Sequence, residues 1–368
     1  MNTVWLSIGD DGLRYVDGMA DFLQSEFCPF DGTPIWSAEY FRWKLGPENP
    51  AGAGYVSLAL VDGRVVGVVS LTKKRVLIDG NETIGGEVGD AYTSVRMRRR
   101  AQPTELSALD SDPNSFINRS IFGRLASDVR ARAETDGIQV IYGTPNQNAY
   151  PGWTKRLGYT EFKDYGNQSF SRPTWRMILQ RLPGLGAVRG LLRVTDNGVA
   201  FAHAWLWRVA QQKFVFSQIP PSDQEIECLW SRTKPAIGFS LVRDAAYWRH
   251  RYITHPLAEY VLFCARKNGE ITSVIAVRLA SLGGGRRVCS IVEWMSEEQV
   301  PFGYLLSQIV HACRDWEIDL FTFWTKASGA EARAAKFSLF SRRARVPVIL
   351  ANTPRGQDVR RSAGNFQF

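Results

Sequence analysis

The chain has 368 residues, 45 basic against 36 acidic, for a formal charge of +9, and it is 45% hydrophobic with 12 Trp. That is too long for one ordinary domain and apolar enough for two sizeable cores, so a folded chain of two domains is expected. Its five cysteines, Cys28, Cys228, Cys264, Cys289 and Cys313, stand apart with no CxxC pair, so neither a zinc cage nor a disulfide framework is signalled. No metal site is expected, and a reducing cytoplasm fits. The start lacks the basic and apolar run of a signal peptide, and no window reaches about 18 apolar residues, so a soluble protein is expected. The positive charge favours anionic partners. Without zinc-finger spacing, an aromatic RNA-binding motif or a basic heptad region, nucleic acid is not among those expected.

In chain order, Tyr40-Phe-Arg42 precedes Pro50 and a β-hairpin that turns at Asp62-Gly63. Next come Gly89-Asp90-Ala-Tyr-Thr93, an Arg-rich stretch from Arg96 to Arg100, and a loop over 101–117 rich in Pro, Ser and Asp. The spacing of Ile121, Phe122, Leu125, Val129 and Ala133 predicts a helix, capped by Asn118 or Ser120 and closed at Gly137. Ile138-Gln-Val-Ile-Tyr142 reads as a strand covered on both faces. Pro145-Asn146-Gln-Asn148-Ala-Tyr150 then joins it to a short helix ending at Leu157-Gly-Tyr159.

Residues 171–216 are basic, aromatic and partly helical. They suit a connector packed on its own domains, and also a membrane-surface helix. The first pattern then returns: Tyr247-Trp-Arg249, Pro256 and a hairpin at Asn268-Gly269, with Gly63 and Gly269 separated by 206 residues, as are Pro50 and Pro256. Ile318-Asp-Leu-Phe-Thr322 repeats the later strand at a separation of 180, so the second copy is shorter between hairpin and helix. The expected segments are 1–170, a helical connector over 171–217, a second copy over 218–352, and a polar tail over 353–368 whose Phe-Gln-Phe end is able to dock.

Gly89 to Arg98 with Pro145-Asn146-Gln-Asn148 resembles the second half of the GNAT N-acetyltransferase superfamily, in a tandem form similar to sugar N-acyltransferases of polysaccharide biosynthesis. The resemblance implies an α/β fold of two GNAT-like domains in tandem, each a mixed central sheet flanked by helices, the second degenerate. It implies that the fourth and fifth strands, Val88–Thr93 and Gln139–Tyr142, splay to hold the pantetheine of acetyl-CoA or another acyl-CoA. Arg98, Arg99, Arg100 and Arg119, with the helix start at Ser120 and Ile121, would hold the pyrophosphate. Asn146 and Asn148 would contact the coenzyme, although both also suit a plain turn after Pro145. The sequence departs from the family in the long insertion before the helix, in Ala101 at a glycine position, and in Thr154 where a tyrosine acid is usual.

The expected catalytic residues are therefore Asp90 as base, Tyr150 as substitute acid, and Asn148. Asp90 also reads as a structural carboxylate, and strand alternation sets Glu87 and Asp90 on opposite faces. The second copy lacks the Arg-rich loop and the asparagine turn. Tyr40, Arg42, Trp43, Tyr247 and Arg249 would line an acceptor pocket or, read more simply, pack helices. The implied activity is transfer of an acyl group from the CoA thioester to the amine of an amino sugar on a nucleotide. Two other readings stand: a Fem-like transferase using aminoacyl-tRNA, which is a tandem of the same fold, and a ligand-binding protein without catalysis.

Overall fold

A computed structural model describes residues 3–8, 15–26, 36–98, 120–161, 167–181, 191, 194, 198, 201, 202, 205, 207, 212–236, 238–282, 285–326, 330–337, 340–346, 348–352 and 366–367. In chain order the first elements are β1 (Thr3–Ile8), α1 (Val16–Glu26), α2 (Ala38–Leu45), β2 (Tyr55–Val61), β3 (Arg64–Ile78), β4 (Asn81–Thr93), α3 (Val95–Arg98), α4 (Ile121–Thr135), β5 (Val140–Gly143) and β6 (Thr160–Glu161). There follow β7 (Asn167–Pro173), α5 (Trp175–Arg181), β8 (Val215–Ser217), α6 (Asp223–Thr233), β9 (Phe239–Leu241), α7 (Ala245–Trp248), β10 (Tyr260–Lys267), β11 (Glu270–Leu282) and β12 (Arg286–Ser296). The last are α8 (Phe302–Ala312), β13 (Leu320–Lys326), α9 (Ala330–Phe337), β14 (Ser341–Val346), β15 (Ile349–Asn352) and β16 (Phe366–Gln367). Two compact units form, one from Met1–Asp164, Ile237–Val242 and Pro347–Phe368, the other from Tyr165–Ala236 and Arg243–Val346.

In the first unit the sheet runs β1-β2-β3-β4-β5-β15-β6, with β9 on the far end of β3 and β16 beside β9. The β2–β3 turn places Asp62 and Gly63 at φ 50° and 75°, the left-handed pair an Asp-Gly turn requires. One sheet face is covered by α4, whose Leu125, Ala126, Val129 and Ala133 pack with Val69, Leu71 and Ile141. The other carries Met19 and Leu23 of α1 and Phe41 and Leu45 of α2 against Leu58 and Val68. Each such Val, Leu, Ile, Met or Phe side chain contributes about 1.5–3 kcal/mol by leaving water, and the alanines less. Ser120 caps α4 by accepting from the Gly123 amide at 3.2 Å, and Gly137 leaves it at φ 76°, both as the sequence predicts.

The second unit repeats the plan in the order β14-β7-β13-β12-β11-β10-β8, with Asn268 and Gly269 at φ 53° and 86° in its hairpin. Tyr304, Leu305 and Ile309 of α8 pack with Phe263, Ile275, Ile291 and Phe323. In each unit, among the described residues, the only parallel pairing along the main strand order joins the fourth strand to the one after the crossover helix: β4 to β5, and β12 to β13. Two mixed sheets flanked by helices are thus present, as the sequence implies.

The contiguous segments expected from the sequence do not match how the strands are shared. The 170/171 boundary falls inside β7, which lies between β13 and β14, pairing Phe170 with Phe323 and Ser171 with Ser341. Conversely β15, counted with the second copy, completes the first sheet by pairing Ile349 with Gly143 and with Glu161. Each sheet receives one strand from beyond the other's sequence, an exchange that local hydrophobic pattern cannot reveal. The tail end does dock: Phe366 and Gln367 pair in parallel with Phe239 and Ser240. Among the described residues no helix is long and apolar enough to cross a membrane, and no cluster of three His, Cys, Asp or Glu could hold a metal ion.

Candidate active site: the parting of β4 and β5

Strands β4 and β5 pair only through Gly85↔Val140, Gly86↔Ile141 and Glu87↔Tyr142. Just past the last pair, Gly143 still lies against Val88, since a Cβ there would stand 2.7 Å from Val88 Cγ2 and 3.1 Å from the Val88 carbonyl oxygen. From Val88 to Thr93 the β5-facing edge of β4 has no partner strand among the described residues. A strand edge of this kind is where an extended ligand can add as a further strand would.

On its other edge β4 carries a bulge. The ladder with β3 steps from Ser70↔Gly89 to Val68↔Tyr92, leaving an extra residue where Asp90 adopts φ 47°. A non-glycine residue in the left-handed region costs about 1 kcal/mol or more and persists where its surroundings hold it. Here two groups hold it: the Asp90 carboxylate accepts from Ser70 Oγ at 2.6 Å and from Lys44 Nζ at 2.7 Å. Asp90 and Lys44 side chains are 10% and 14% exposed, so water screens this ion pair little. Burial alone would lower the Lys44 ammonium, but the charge of Asp90, then Tyr40 and Glu87, and the hydrogen bond to Asp90 hold it well above the usual lysine value.

The bulge also overturns the expectation that Glu87 and Asp90 occupy opposite faces. Glu87 pairs with Lys74 at 3.2 Å, and Lys74 and Ser70 lie four residues apart on β3 and so share a face. One extra residue shifts the alternation, and both carboxylates reach the same side. Thr72, opposite Glu87 and between those two positions, has a buried hydroxyl. Farther along, Tyr92 OH and Ser94 Oγ donate to the carboxylate of Glu26 on α1 at 3.2 and 2.9 Å.

The asparagine turn follows β5 as expected. Asn146 Oδ1 accepts from the Ala149 amide at 2.9 Å and its carbonyl from the Tyr150 amide at 2.9 Å, so Asn146 closes the turn while Asn148 stands exposed. A wide turn at Gly152–Arg156 then seats Trp153 edge-on to Phe122 and Tyr159, and Gly158 needs its glycine at φ 71°. Tyr150 OH donates to Glu161 Oε2 at 2.6 Å.

Of the remaining residues singled out by sequence, Ser120 spends its hydroxyl on the α4 cap and Ile121 opens the helix. Ile121 and Leu125 close on Gly67, where an added Cβ would meet Ile121 Cγ2 at 2.8 Å. That glycine lets the helix start lie close to β3. Arg99, Arg100 and Arg119 lie outside the described residues, as does the side chain of Arg98. On α2, Tyr40 stacks on Trp43 at 5.7 Å and lies 5.7 Å from Lys44 Nζ, while Arg42 forms an exposed ion pair with Asp17. Tyr247 and Arg249 belong to the second unit: the Tyr247 hydroxyl donates at 2.6 Å to buried Glu293, which also pairs with Arg243, and Arg249 pairs with Asp223. Burial and the Glu293 charge push the Tyr247 phenol well above its ordinary value.

Sequence reading passed over Lys44, Ser70, Glu26 and Glu161. Only Lys44 left a signal, since its spacing of four from Tyr40 sets the two on one helix face. The others become visible once strands are in register.

Two mixed sheets, each with a parallel pair beside a bulged fourth strand, have the fold of the GCN5-related N-acetyltransferases. Similar solved structures include a probable N-acyltransferase of unknown function from Enterococcus faecalis V583, with a TM-score of 0.59 and 11% identity over 96% of this chain and 73% of that one. A GCN5-related N-acetyltransferase from Anabaena variabilis ATCC 29413 matches with a TM-score of 0.58, 11% identity and the same coverage. Saccharomyces cerevisiae N-myristoyltransferase with bound myristoyl-CoA matches with a TM-score of 0.60 and 10% identity over 98% of this chain and 87% of that one. At such identities the likeness is one of fold. No family model and no curated protein matches the sequence.

Proposed function

We propose that the protein is an acyl-CoA-dependent N-acyltransferase, and that its acceptor is the amine of an amino sugar carried on a nucleotide. The observation that carries the reading is the stretch of β4 from Val88 to Thr93, which has no partner strand on its β5 side among the described residues, beside the Asp90 bulge. The pantetheine arm would lie along that edge, with β4 amides donating to the thioester oxygen as it gains charge. The start of α4, with Arg98, Arg99, Arg100 and Arg119, would face the coenzyme phosphates, and Asn148 the pantetheine amides.

The amine nitrogen attacks the thioester carbon, the carbonyl oxygen becomes an oxyanion, and its collapse breaks the C–S bond and expels the CoA thiolate. The proton lost by nitrogen goes to a carboxylate on the face shared by Asp90 and Glu87. A carboxylate suffices as acceptor for an amine that arrives largely unprotonated. Tyr150 is the proton source for the thiolate in this scheme once its hydroxyl turns from Glu161. A thiol with a pKa of about 8.5 also leaves tolerably without one. Tyr40 and Trp43 offer stacked rings to a sugar or base, and Arg42 offers a guanidinium to a diphosphate.

The test is mass spectrometry of the protein with several acyl-CoAs and a panel of amines that includes amino-sugar nucleotides, free amino sugars and peptides. An acyl mass gain on an amino-sugar nucleotide supports the whole proposal, and a gain on peptides alone keeps the reaction but replaces the acceptor. Acyl-CoA at about 100 times its Kd should also stabilise the protein by about 2.7 kcal/mol. No mass gain and no thermal shift would overturn the reading in favour of a ligand-binding protein without catalysis.

A further inference from the structure

The sheet of the second unit is covered on one face by α8, on the side where Ile291 and Phe323 point. Its other face holds an exposed tryptophan. Trp324 is 53% exposed although β13 runs between β12 and β7, and a side chain on an inner strand reaches water only where no layer covers that face. Strand register sets a row of polar side chains beside it. Tyr260 on β10 lies opposite Arg278 on β11, Arg278 opposite Ser290 on β12, and Ser290 opposite Thr322 on β13, so the four share a face. The Ser290 and Thr322 hydroxyls bond each other at 2.9 Å, and Trp324, two residues past Thr322, lies on the same side. Arg278 is exposed and, among the described residues, has no ion pair or hydrogen bond. At the Tyr260 end the His255 ring stands edge-on to Tyr260 at 5.4 Å, Tyr260 stands edge-on to Tyr252 at 5.0 Å, and Arg251 Nε donates to the Tyr252 hydroxyl at 3.2 Å.

The order of these groups selects the ligand. One end offers a ring face, the middle offers two hydroxyls that share one hydrogen bond and so still have a proton to donate, and the far end offers cations. The charges acting on His255 are those of Arg278, Arg251 and His250, all basic. The acid near them, Glu293, lies 3.9 Å from Arg251 but is also paired with Arg243 at 2.8 Å, so positive charge stays in excess. His255 Nδ1 accepts from the Leu257 and Ala258 amides, which sets the proton of the neutral ring on Nε2 as a donor. Two strand spacings of about 4.8 Å and two residues of about 3.3 Å put Trp324 about 12 Å from Arg278. That is the reach from a nucleobase to the second phosphate of its nucleotide. A lipid chain would meet the ring and leave the cations unmatched, and a simple anion would do the reverse. We infer that this face of the second unit binds a free nucleoside diphosphate, with its base stacked on Trp324, its ribose over Ser290 and Thr322, and its phosphates at Arg278 and His255. The site is distinct from Tyr40, Arg42 and Trp43 of the first unit, and the inference stands independently of the acyl-transfer reading.

Isothermal titration of the full chain with ADP, GDP, CDP and UDP tests it, with the matching nucleosides and inorganic pyrophosphate for comparison. At least one diphosphate should bind with a Kd below about 1 mM. Its nucleoside and pyrophosphate should each bind about tenfold more weakly or worse, because each keeps only one end of the contact. W324A and R278A, altered at exposed positions, should each raise the Kd about tenfold with an unchanged melting temperature. R42A/W43A in the first unit should leave it unchanged. No binding of any of the four, or binding that W324A and R278A leave as it was, would overturn the inference. If R42A/W43A abolished binding while W324A and R278A did not, the nucleotide would belong to the first unit, which overturns this site and supports the acceptor assignment there. Pyrophosphate bound as tightly as the diphosphates would also overturn it, since the ring would then take no part. A single-stranded oligonucleotide bound at least about tenfold more tightly than the free diphosphates, and lost in W324A, would assign the face to nucleic acid instead.

Discussion

Asp90 occupies a left-handed backbone position within a bulge, and its carboxylate is tied to Ser70 and Lys44. Asp90→Asn should therefore cost about 3 kcal/mol in urea unfolding, because it leaves a buried ammonium without its counter-charge, and should lower kcat in any acyl-transfer assay. The raised Lys44 value fixes a sign. A group more basic in the folded state contributes stability in full below its unfolded value near 10.5, and that contribution is lost as pH rises through the higher folded value. Melting temperatures followed above pH 10 should fall in the parent and fall less in Lys44→Met. His255 gives the opposite case. Burial, then the charges of Arg278, Arg251 and His250, lower its imidazole from 6.5 to about 4, and Nδ1 accepts from the Leu257 and Ala258 amides at 3.2 and 3.1 Å. The unfolded chain takes up the proton first, so stability should decline as pH drops from about 6.5 toward 4 and level off below. In His255→Gln the decline across that window should be smaller, and an unchanged decline would show that other groups govern it. At this scale the sequence showed which residue types stood near the site, such as Asp90 and Tyr150. It could not show that one inserted residue turns Asp90 onto the face of Glu87, because strand alternation holds only where no bulge interrupts it.

Helices and strands were the most legible level. The spacing in Ile121 to Ala133, the Ser120 cap, Gly137 and the two Xaa-Gly hairpin turns all fall where local chemistry puts them. Each depends on a few neighbouring residues, which is why pattern suffices. Contacts between elements are less legible. Gly67 looks like any strand glycine in sequence, yet it is where Ile121 and Leu125 of α4 approach β3. Gly67→Ala forces a Cβ to within 2.8 Å of Ile121 Cγ2 and 3.1 Å of Leu125 Cδ1. Overpacking of this kind costs about 1–3 kcal/mol in urea unfolding, and it should raise the KM for acyl-CoA by displacing the start of α4. A stability loss with unchanged KM would separate the helix start from coenzyme binding.

For the whole molecule, the exchanged strands decide which pieces can fold. A chain ending at residue 346 loses β15 and β16, leaving β5 and β6 without the strand that joins them. Its first unit should lose its cooperative thermal transition, and a fragment of residues 1–164 should fail to fold alone, as far-UV circular dichroism and melting would reveal. A cooperative melt of 1–164 would mean that β15 is dispensable. The sequence by itself determined the two-copy plan, the kind of sheet and the strand–turn–helix order around Asn146 and Asn148. Those features arise from residue periodicity and from turn chemistry acting over a few positions. Tertiary structure alone decided that β7 and β15 trade sheets, that a bulge brings Asp90 onto the face of Glu87, and that Lys44 meets Asp90. All three depend on which backbone edges and buried charges meet across long sequence separations, where hydrogen-bond pairing and desolvation, rather than local propensity, set the lowest free energy.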